Sequence, residues 1–541
     1  MADGNPLSQQ TGTANVKTAV FFARRDADRL QTEGEPRWSG GHTLPSVTGA
    51  TPDGIFAEWS WDGRRLEVRN DRYGFHPLFY TQGRAFVGVS PSIVELLRHG
   101  ASAEWDYDAL AVFLRVGFFI GEETPFRAIR ALPPNARAEW DAGVFMMSGG
   151  QAQVPPQRLG RTQALDAFIA LVERAVNRRV PPSDDVAIPL SGGRDSRHLL
   201  LELCARGRKP RFCLTLRHYP PRSNADTDVA RRLTERLQVP HVVVEQTQSR
   251  LSAEVRKNWA TSLCADEHAW FMAMADRLNG NVSAVFDGIA GVLSATSKFL
   301  SREVLGLFEA GRFDLLAERL IAASSDEQAL QAVCAPVAYR RMGRELAVSR
   351  LADELSRHVG AADPVKSFHF WNRTRREIAL VPYGLLNGVP RVYSPFLDHE
   401  LFDVMFGVPP DVISPDLLPE DKTFHAEAIC RAYPRFADLP FANVHDRIDA
   451  GTHHAQLTRD LAVLALRQCR HRPTFLNRTH VLPRLLTSIV SRRCADRVGW
   501  MTPSALYLLQ LEMAGRLARG NDSDRLQDEA DLPLNWRGEC V

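Results

Sequence analysis

The sequence predicts an α/β protein in two parts: a strand-rich first part, then a doubly wound parallel sheet that runs into a helical C-terminal part. Three observations carry this. Short alternating segments separated by turn signals fill the chain to about residue 147. From Thr162 to Phe286 helical and strand-like segments alternate, as in parallel sheets with right-handed crossovers. Beyond about residue 300 the pattern is helical, with no further sheet signal.

In order, the strand-like segments of the first part are 16–23, Phe56–Trp61, Arg65–Arg69, Pro77–Tyr80, Ala85–Val89 and Ala136–Trp140. Pro52-Asp53-Gly54, Asp62-Gly63 and Gln82-Gly83 punctuate them, and a helical stretch, Tyr107–Leu114, interrupts them. Residues Ser148–Gln157 have linker composition. A helix is expected from Thr162 as N-cap, with Leu165, Phe168, Ile169, Val172 and Val176 on one face. Strands follow at 186–190, Arg211–Leu216, Val242–Glu245 and Val282–Phe286, with a helix at Asp226–Leu237. Parallel sheets bind ligands at the carboxyl ends of their strands. The loop at Ser191, the segment after Leu216 and the turn at Asp287 are therefore expected to converge.

The most informative segment is 186–198. An apolar run ending at Leu190 breaks into Ser191-Gly192-Gly193-Arg194-Asp195-Ser196, and leucines then recur at helical spacing. A strand, a Gly-Gly turn and a helix start make an anion cradle: glycines admit phosphate close to backbone N–H groups, and the helix N-terminus adds positive potential. Ser191 and Ser196 can donate to phosphate oxygens, and Asp195 can hold a magnesium ion against them. A Walker A ending, Gly-Lys-Ser/Thr, is absent.

At 541 residues, with 44% apolar and 24% charged residues, the chain can bury more than one full core. A net charge of +2 argues against a dedicated nucleic-acid binder. No apolar stretch approaches a membrane span, and the polar N-terminus lacks a signal-peptide core. Eight scattered cysteines with no Cys-x-x-Cys pair fit reduced thiols and a cytoplasmic location.

The Ser191–Ser196 loop resembles the pyrophosphate loop of enzymes that split ATP into AMP and pyrophosphate. In the first part, Asn70-Asp71-Arg72-Tyr73-Gly74-Phe75-His76-Pro77-Leu78-Phe79-Tyr80 resembles the Arg-Asp-x-x-Gly-x-x-Pro-Leu-Tyr-Tyr segment of asparagine synthetases and their amide-forming relatives. Tyr393-Ser394-Pro395-Phe396-Leu397-Asp398-His399-Glu400-Leu401 resembles their Arg-Val-Pro-Phe-Leu-Asp-His-Glu-Leu, and Lys422 follows at the family's distance. The resemblance implies a glutaminase-like α-β-β-α sandwich over 1–150 and an ATP-pyrophosphatase synthetase domain over 160–541. It also implies ATP and magnesium as cofactors. Leu190, Ser191, Gly192, Gly193, Asp195, Ser196, Leu216, Phe286 and Gly288 would line the nucleotide, with Asp195 on the metal. Lys422 and Asp287 would serve the chemistry.

Two departures matter. The family's glutaminase uses a cysteine directly after the initiator methionine. Ala2 stands there, and the first cysteine is Cys204. Loss of the thiol is shared with beta-lactam synthetases and lasso-peptide cyclases, which capture an activated carboxylate with an amine already in the substrate. Secondly, the family's Gly-Asp-Gly-Ala-Asp-Glu is Phe286-Asp287-Gly288-Ile289-Ala290-Gly291 here, so Ala290 replaces a metal-binding acid. Either Asp287 takes over, or Asp266-Glu267 approaches, or ATP phosphates and Asp195 hold the metal.

The expected function is an amide synthetase that adenylates a carboxylate and joins it to an amine without hydrolysing glutamine. Its substrate would be a small molecule or a peptide, the latter including a precursor peptide with its protease, giving a lactam or lasso macrolactam. No nucleic acid or membrane partner is expected. The alternatives are an asparagine synthetase using free ammonia and a weakened nucleotide-binding scaffold. His198 reads as packing, Asp398 as shaping its own segment, and Trp270 and Trp371 as core aromatics.

Overall fold

The computed structural model describes residues 19–517 apart from 27–28, 47–51, 142, 182, 219–223, 443–453 and 469–473. Ala2 and the start of the first expected strand, 16–18, lie outside the described residues.

Ten strands build the first part: β1 (Phe21–Asp26), β2 (Arg29–Gly34), β3 (Arg37–Leu44), β4 (Asp53–Trp61), β5 (Arg65–Asn70), β6 (Phe79–Gly83), β7 (Phe86–Ser90), β8 (Ile129–Ala131), β9 (Arg137–Asp141) and β10 (Val144–Ser148). They form two antiparallel sheets, ordered β2-β1-β7-β6-β8 and β10-β9-β5-β4-β3. Alternation explains the stacking. Phe21, Ala23, Val87 and Val89 of one sheet meet Ala57, Trp59, Leu66, Val68 and Trp140 of the other in a shared core. The opposite face of the first sheet, with Val20, Phe22 and Phe79, packs under α1 (Ile93–Arg98) and α2 (Tyr107–Val116). Asp106 caps α2 by accepting from the Ala109 N–H at 3.2 Å, and Gly117, at φ 84°, ends it.

The outer face of the second sheet differs. Cross-strand register aligns Ser39, Glu58, Arg69 and Arg137 in one row and Ser60, Glu67 and Glu139 in another. Arg69 pairs with Glu58 and Arg65 with Glu139 across the strands. Ser60, Glu67, Arg69 and Arg137 are exposed, so no described helix covers these rows. Strands β2, β3, β8 and β10 escape sequence reading: β2 is exposed throughout, β3 carries a Gly-Gly pair, β8 is only three residues long, and β10 is exposed over most of its length.

After the linker, α3 (Arg161–Asn177) starts two residues earlier than expected. Gly160, not Thr162, is its N-cap, and the Gln163 side chain accepts the Gly160 N–H at 3.0 Å. There follow β11 (Val186–Pro189), α4 (Asp195–Ala205), β12 (Phe212–Leu216), α5 (Ala225–Leu237), β13 (His241–Val244), α6 (Arg250–Ala260), α7 (Met272–Leu278) and β14 (Ala284–Phe286). A fifth strand, β15 (Val392–Tyr393), corrects the expectation of no sheet beyond residue 300. Its two residues, between Pro390 and Pro395, are too few to show alternation. All five are parallel, in the order β13-β12-β11-β14-β15. Chain direction across the sheet reverses between β11 and β14, which makes the space beyond their carboxyl ends the switch point where such sheets take ligands. The rest of the described chain is mostly helical, and no described helix is long and apolar enough to cross a membrane.

Two sets of buried ions join the sandwich to the later chain. Arg375 donates to the Leu132 carbonyl at 2.8 Å and to the Gly121 carbonyl at 3.3 Å. Arg178 and Arg179, past the end of α3, each bond both Asp53 of the sandwich and Asp398. Asp398 also accepts the Glu400 N–H and so caps the helix His399–Phe406. Its role in the Pro395–Asp398 turn is structural, as expected.

Candidate functional site

Val186–Ile188 of β11 and Leu190 after it are buried, and the Leu190 N–H reaches the Leu214 carbonyl at 2.7 Å while Thr215 donates to its carbonyl at 2.7 Å. The chain thus leaves the sheet at a fixed point, and Ser191 emerges exposed at the switch point. The loop is held by its own polar groups. Ser196 Oγ accepts the Ser191 N–H at 3.1 Å, and Ser191 Oγ accepts the Gly193 N–H at 3.2 Å. Gly192 donates to Asp226 Oδ1 at 2.7 Å and accepts from the Ala442 N–H at 2.9 Å. A Cβ on Gly192 would lie 2.4 Å from the Ala442 Cβ, so only glycine fits beneath that segment. Helix α4 begins at Asp195 with no capping side chain. Its first N–H groups lack intrahelical partners.

The second edge of the cleft is the turn after β14. Phe286 is buried against Tyr393, and the Asp287 N–H bonds the Tyr393 carbonyl at 2.8 Å. Asp287 Oδ1 accepts the Ile289 N–H at 2.8 Å, and Ala290 holds a φ of 75°. The turn presses directly on Asp195: a Cβ on Gly288 would lie 2.9 Å from the Asp195 Cβ, and one on Gly291 2.2 Å from Asp195 Oδ2. Burial pushes the Asp287 carboxyl up to about 6; the Ile289 N–H opposes this and the Asp195 charge adds to it. Leu216 closes the floor at the end of β12, buried.

The structure therefore brings Leu190, Ser191, Gly192, Gly193, Asp195, Ser196, Phe286, Asp287 and Gly288 together at the carboxyl ends of β11 and β14. It separates Asp266-Glu267 from them. Glu267 instead joins His268 and Glu377, with ligand atoms within 4.8 Å, and pairs with Arg373. Of the acids considered as substitutes at Ala290, Asp287 is the one drawn to Asp195. Lys422 is exposed, directly before the helix Thr423–Ala432, and that helix reaches the cleft: His425 Nδ1 lies 3.1 Å from Asp195 Oδ1.

The donor set fits magnesium, a hard cation that takes carboxylate, hydroxyl and phosphate oxygens. Asp195 and Asp287 supply two carboxylates whose like charges interact, and Ser191 and Ser196 supply hydroxyls beside them. A bound cation would relieve that repulsion.

Sequence reading missed two groups here. Asp226 holds the loop at Gly192, but nothing in the sequence marks which acid of α5 does so. Phe441 stacks on both Arg194 and Arg197, at 4.6 and 4.1 Å, which gives those unusual loop arginines a packing role. Buried among aromatic rings, Arg197 also bonds the Leu439 and Pro440 carbonyls. His198, read as packing, is buried and bonded to His425. Trp371 is in the core as expected, whereas Trp270 is half-buried between His218 and His268.

Residues 42–148, from β3 to β10, match the family model of the glutamine amidotransferase domain. The N-terminal sandwich is a glutamine amidotransferase domain. Such a domain implies an amidotransferase-type enzyme, and here it precedes a five-stranded parallel-sheet domain and a helical C-terminal region. A search of curated proteins finds no match. Residues 1–203 of the chain contain no cysteine.

Proposed function

We propose that the chain is an asparagine synthetase-like amide synthetase that cleaves ATP to AMP and pyrophosphate. The observation that carries this is the Ser191–Ser196 loop at the switch point, with Asp195 packed on the Asp287–Gly291 turn. ATP is the co-substrate. Its β- and γ-phosphates would lie on the loop, held by Ser191, Ser196 and the first N–H groups of α4. Asp195 and Asp287 would hold magnesium, which when bound offsets charge on the departing pyrophosphate. A substrate carboxylate would attack the α-phosphorus, forming an acyl-adenylate and releasing pyrophosphate. An amine would then attack the acyl carbon and expel AMP. Lys422 would neutralise charge at the acyl centre as it becomes tetrahedral.

The amine is proposed to belong to the substrate itself, as in closure of a lactam or peptide macrolactam. The absence of cysteine from residues 1–203 supports this, because it removes the thiol that would release ammonia from glutamine. Incubation with glutamine is expected to yield no glutamate above the uncatalysed rate. Enzymatic glutamate release would overturn the internal-amine reading and return the chain to glutamine-fed amidation.

A further inference from the structure

Behind Asp195 lies a row of buried groups that no step above uses. His425 Nδ1 is 3.1 Å from Asp195 Oδ1 and 2.9 Å from Ser294 Oγ. His425 Nε2 is 3.0 Å from His198 Nδ1. His198 Nε2 faces Glu202 at 3.8 Å, and Glu202 in turn meets Arg206 at 3.4 Å. Both imidazoles are within 1% of full burial, among Phe168, Phe396 and Tyr433.

Ser294 donates its hydroxyl proton to the Gly291 carbonyl at 3.2 Å, so its oxygen accepts at His425. An ionised Asp195 can only accept. Nδ1 of His425 is placed to donate to Asp195, with the Ser294 hydroxyl beside it. Its Nε2 lies 3.0 Å from His198 Nδ1, so His198 braces the ring from the far side. Ser294 itself sits on the Gly291–Ser294 turn, whose Gly291 packs against Asp195. The carboxylate is thus clasped on one side by a glycine turn and on the other by an imidazole.

We propose that His425 is a positioning residue: it orients the Asp195 carboxylate toward magnesium, and His198, bonded to its far nitrogen, holds the ring in place. This rests on Asp195 being the metal ligand of the proposed function. Partners of this kind, bonded behind a metal ligand, typically change metal affinity by about 10- to 100-fold when removed. One turn before His425 the same helix starts at Lys422, so the contact also anchors that end of the helix over the cleft.

The test is calorimetric binding of ATP with and without magnesium, alongside thermal midpoints. Asparagine can place an N–H where Nδ1 was, whereas glutamine reaches the Nε2 position and leaves Asp195 unserved. His425→Gln and His425→Ala are expected to weaken magnesium-dependent ATP binding by about 10- to 100-fold. Metal-free ATP binding should change less than about twofold, and His425→Asn should recover most of the loss. His198→Phe, suited to its aromatic surroundings, should give a smaller loss of the same magnesium-dependent kind. Losses equal with and without magnesium, or asparagine no better than glutamine, would overturn the assignment. Wild-type binding of magnesium–ATP with unaffected variants would overturn it alone. Failure of the wild type to bind magnesium–ATP would overturn the proposed function with it.

Discussion

Replacing Asp195 with alanine is expected to lower AMP formation by about a hundred- to a thousand-fold, roughly 3–4 kcal/mol of lost transition-state stabilisation. Asp195 stands at the first position of α4, against the Asp287–Gly291 turn, where the metal on pyrophosphate would sit. Without it the charge of the leaving group is uncompensated as the bond to the α-phosphorus breaks. Lys422→Ala is expected to cost a similar factor through the second step. Asp195 is 42% exposed and Lys422 is exposed, so neither change removes core packing. Thermal midpoints should stay near wild type. Near-normal turnover in Lys422→Ala would make that lysine a surface charge only.

The second large effect concerns stability. Arg179 is fully buried and donates to Asp398 at 2.7 Å, to Asp53 at 3.1 Å and to the Ala175 carbonyl at 3.0 Å. Arg178 bonds the same two carboxylates at 2.7 and 2.9 Å. Burial alone would raise the Asp53 carboxyl, but the Arg179 charge, with His399 and Arg178, holds it below its usual value. Arg179→Ala would leave two buried carboxylates sharing one arginine. Breaking such a pair from one side typically costs about 3–5 kcal/mol. Urea unfolding followed by tryptophan fluorescence should report that loss. A change under about 1 kcal/mol would show that the network contributes little to holding the sandwich on the later chain.

Strands β4, β5, β7 and β11 and the phosphate loop could be read from the sequence because their signals are local. Strand β11, the Gly-Gly turn and the leucines of α4 lie within about twenty residues, and apolar alternation marks β4, β5 and β7. What escaped was set by contacts distant along the chain. Strand β15 exists because Val392 and Tyr393 are drawn beside Val285 and Phe286. The choice of Asp287 over Asp266-Glu267 depends on where the loop after α6 packs, against Glu377 and Arg373. His425 carries no motif of its own, and only the fold brings it to Asp195. The amidotransferase sandwich was legible by resemblance from residue 70 onward, while the polar strands before it were not.

The central proposal is cleavage of ATP between the α- and β-phosphates. Its most direct test is chromatography of labelled nucleotide after incubating the chain with magnesium, ATP labelled at the α-phosphate and pools of amino acids and short peptides bearing a free carboxylate and amine. AMP with pyrophosphate, appearing only when a carboxylate is present, is the expected result. ADP with orthophosphate would contradict it.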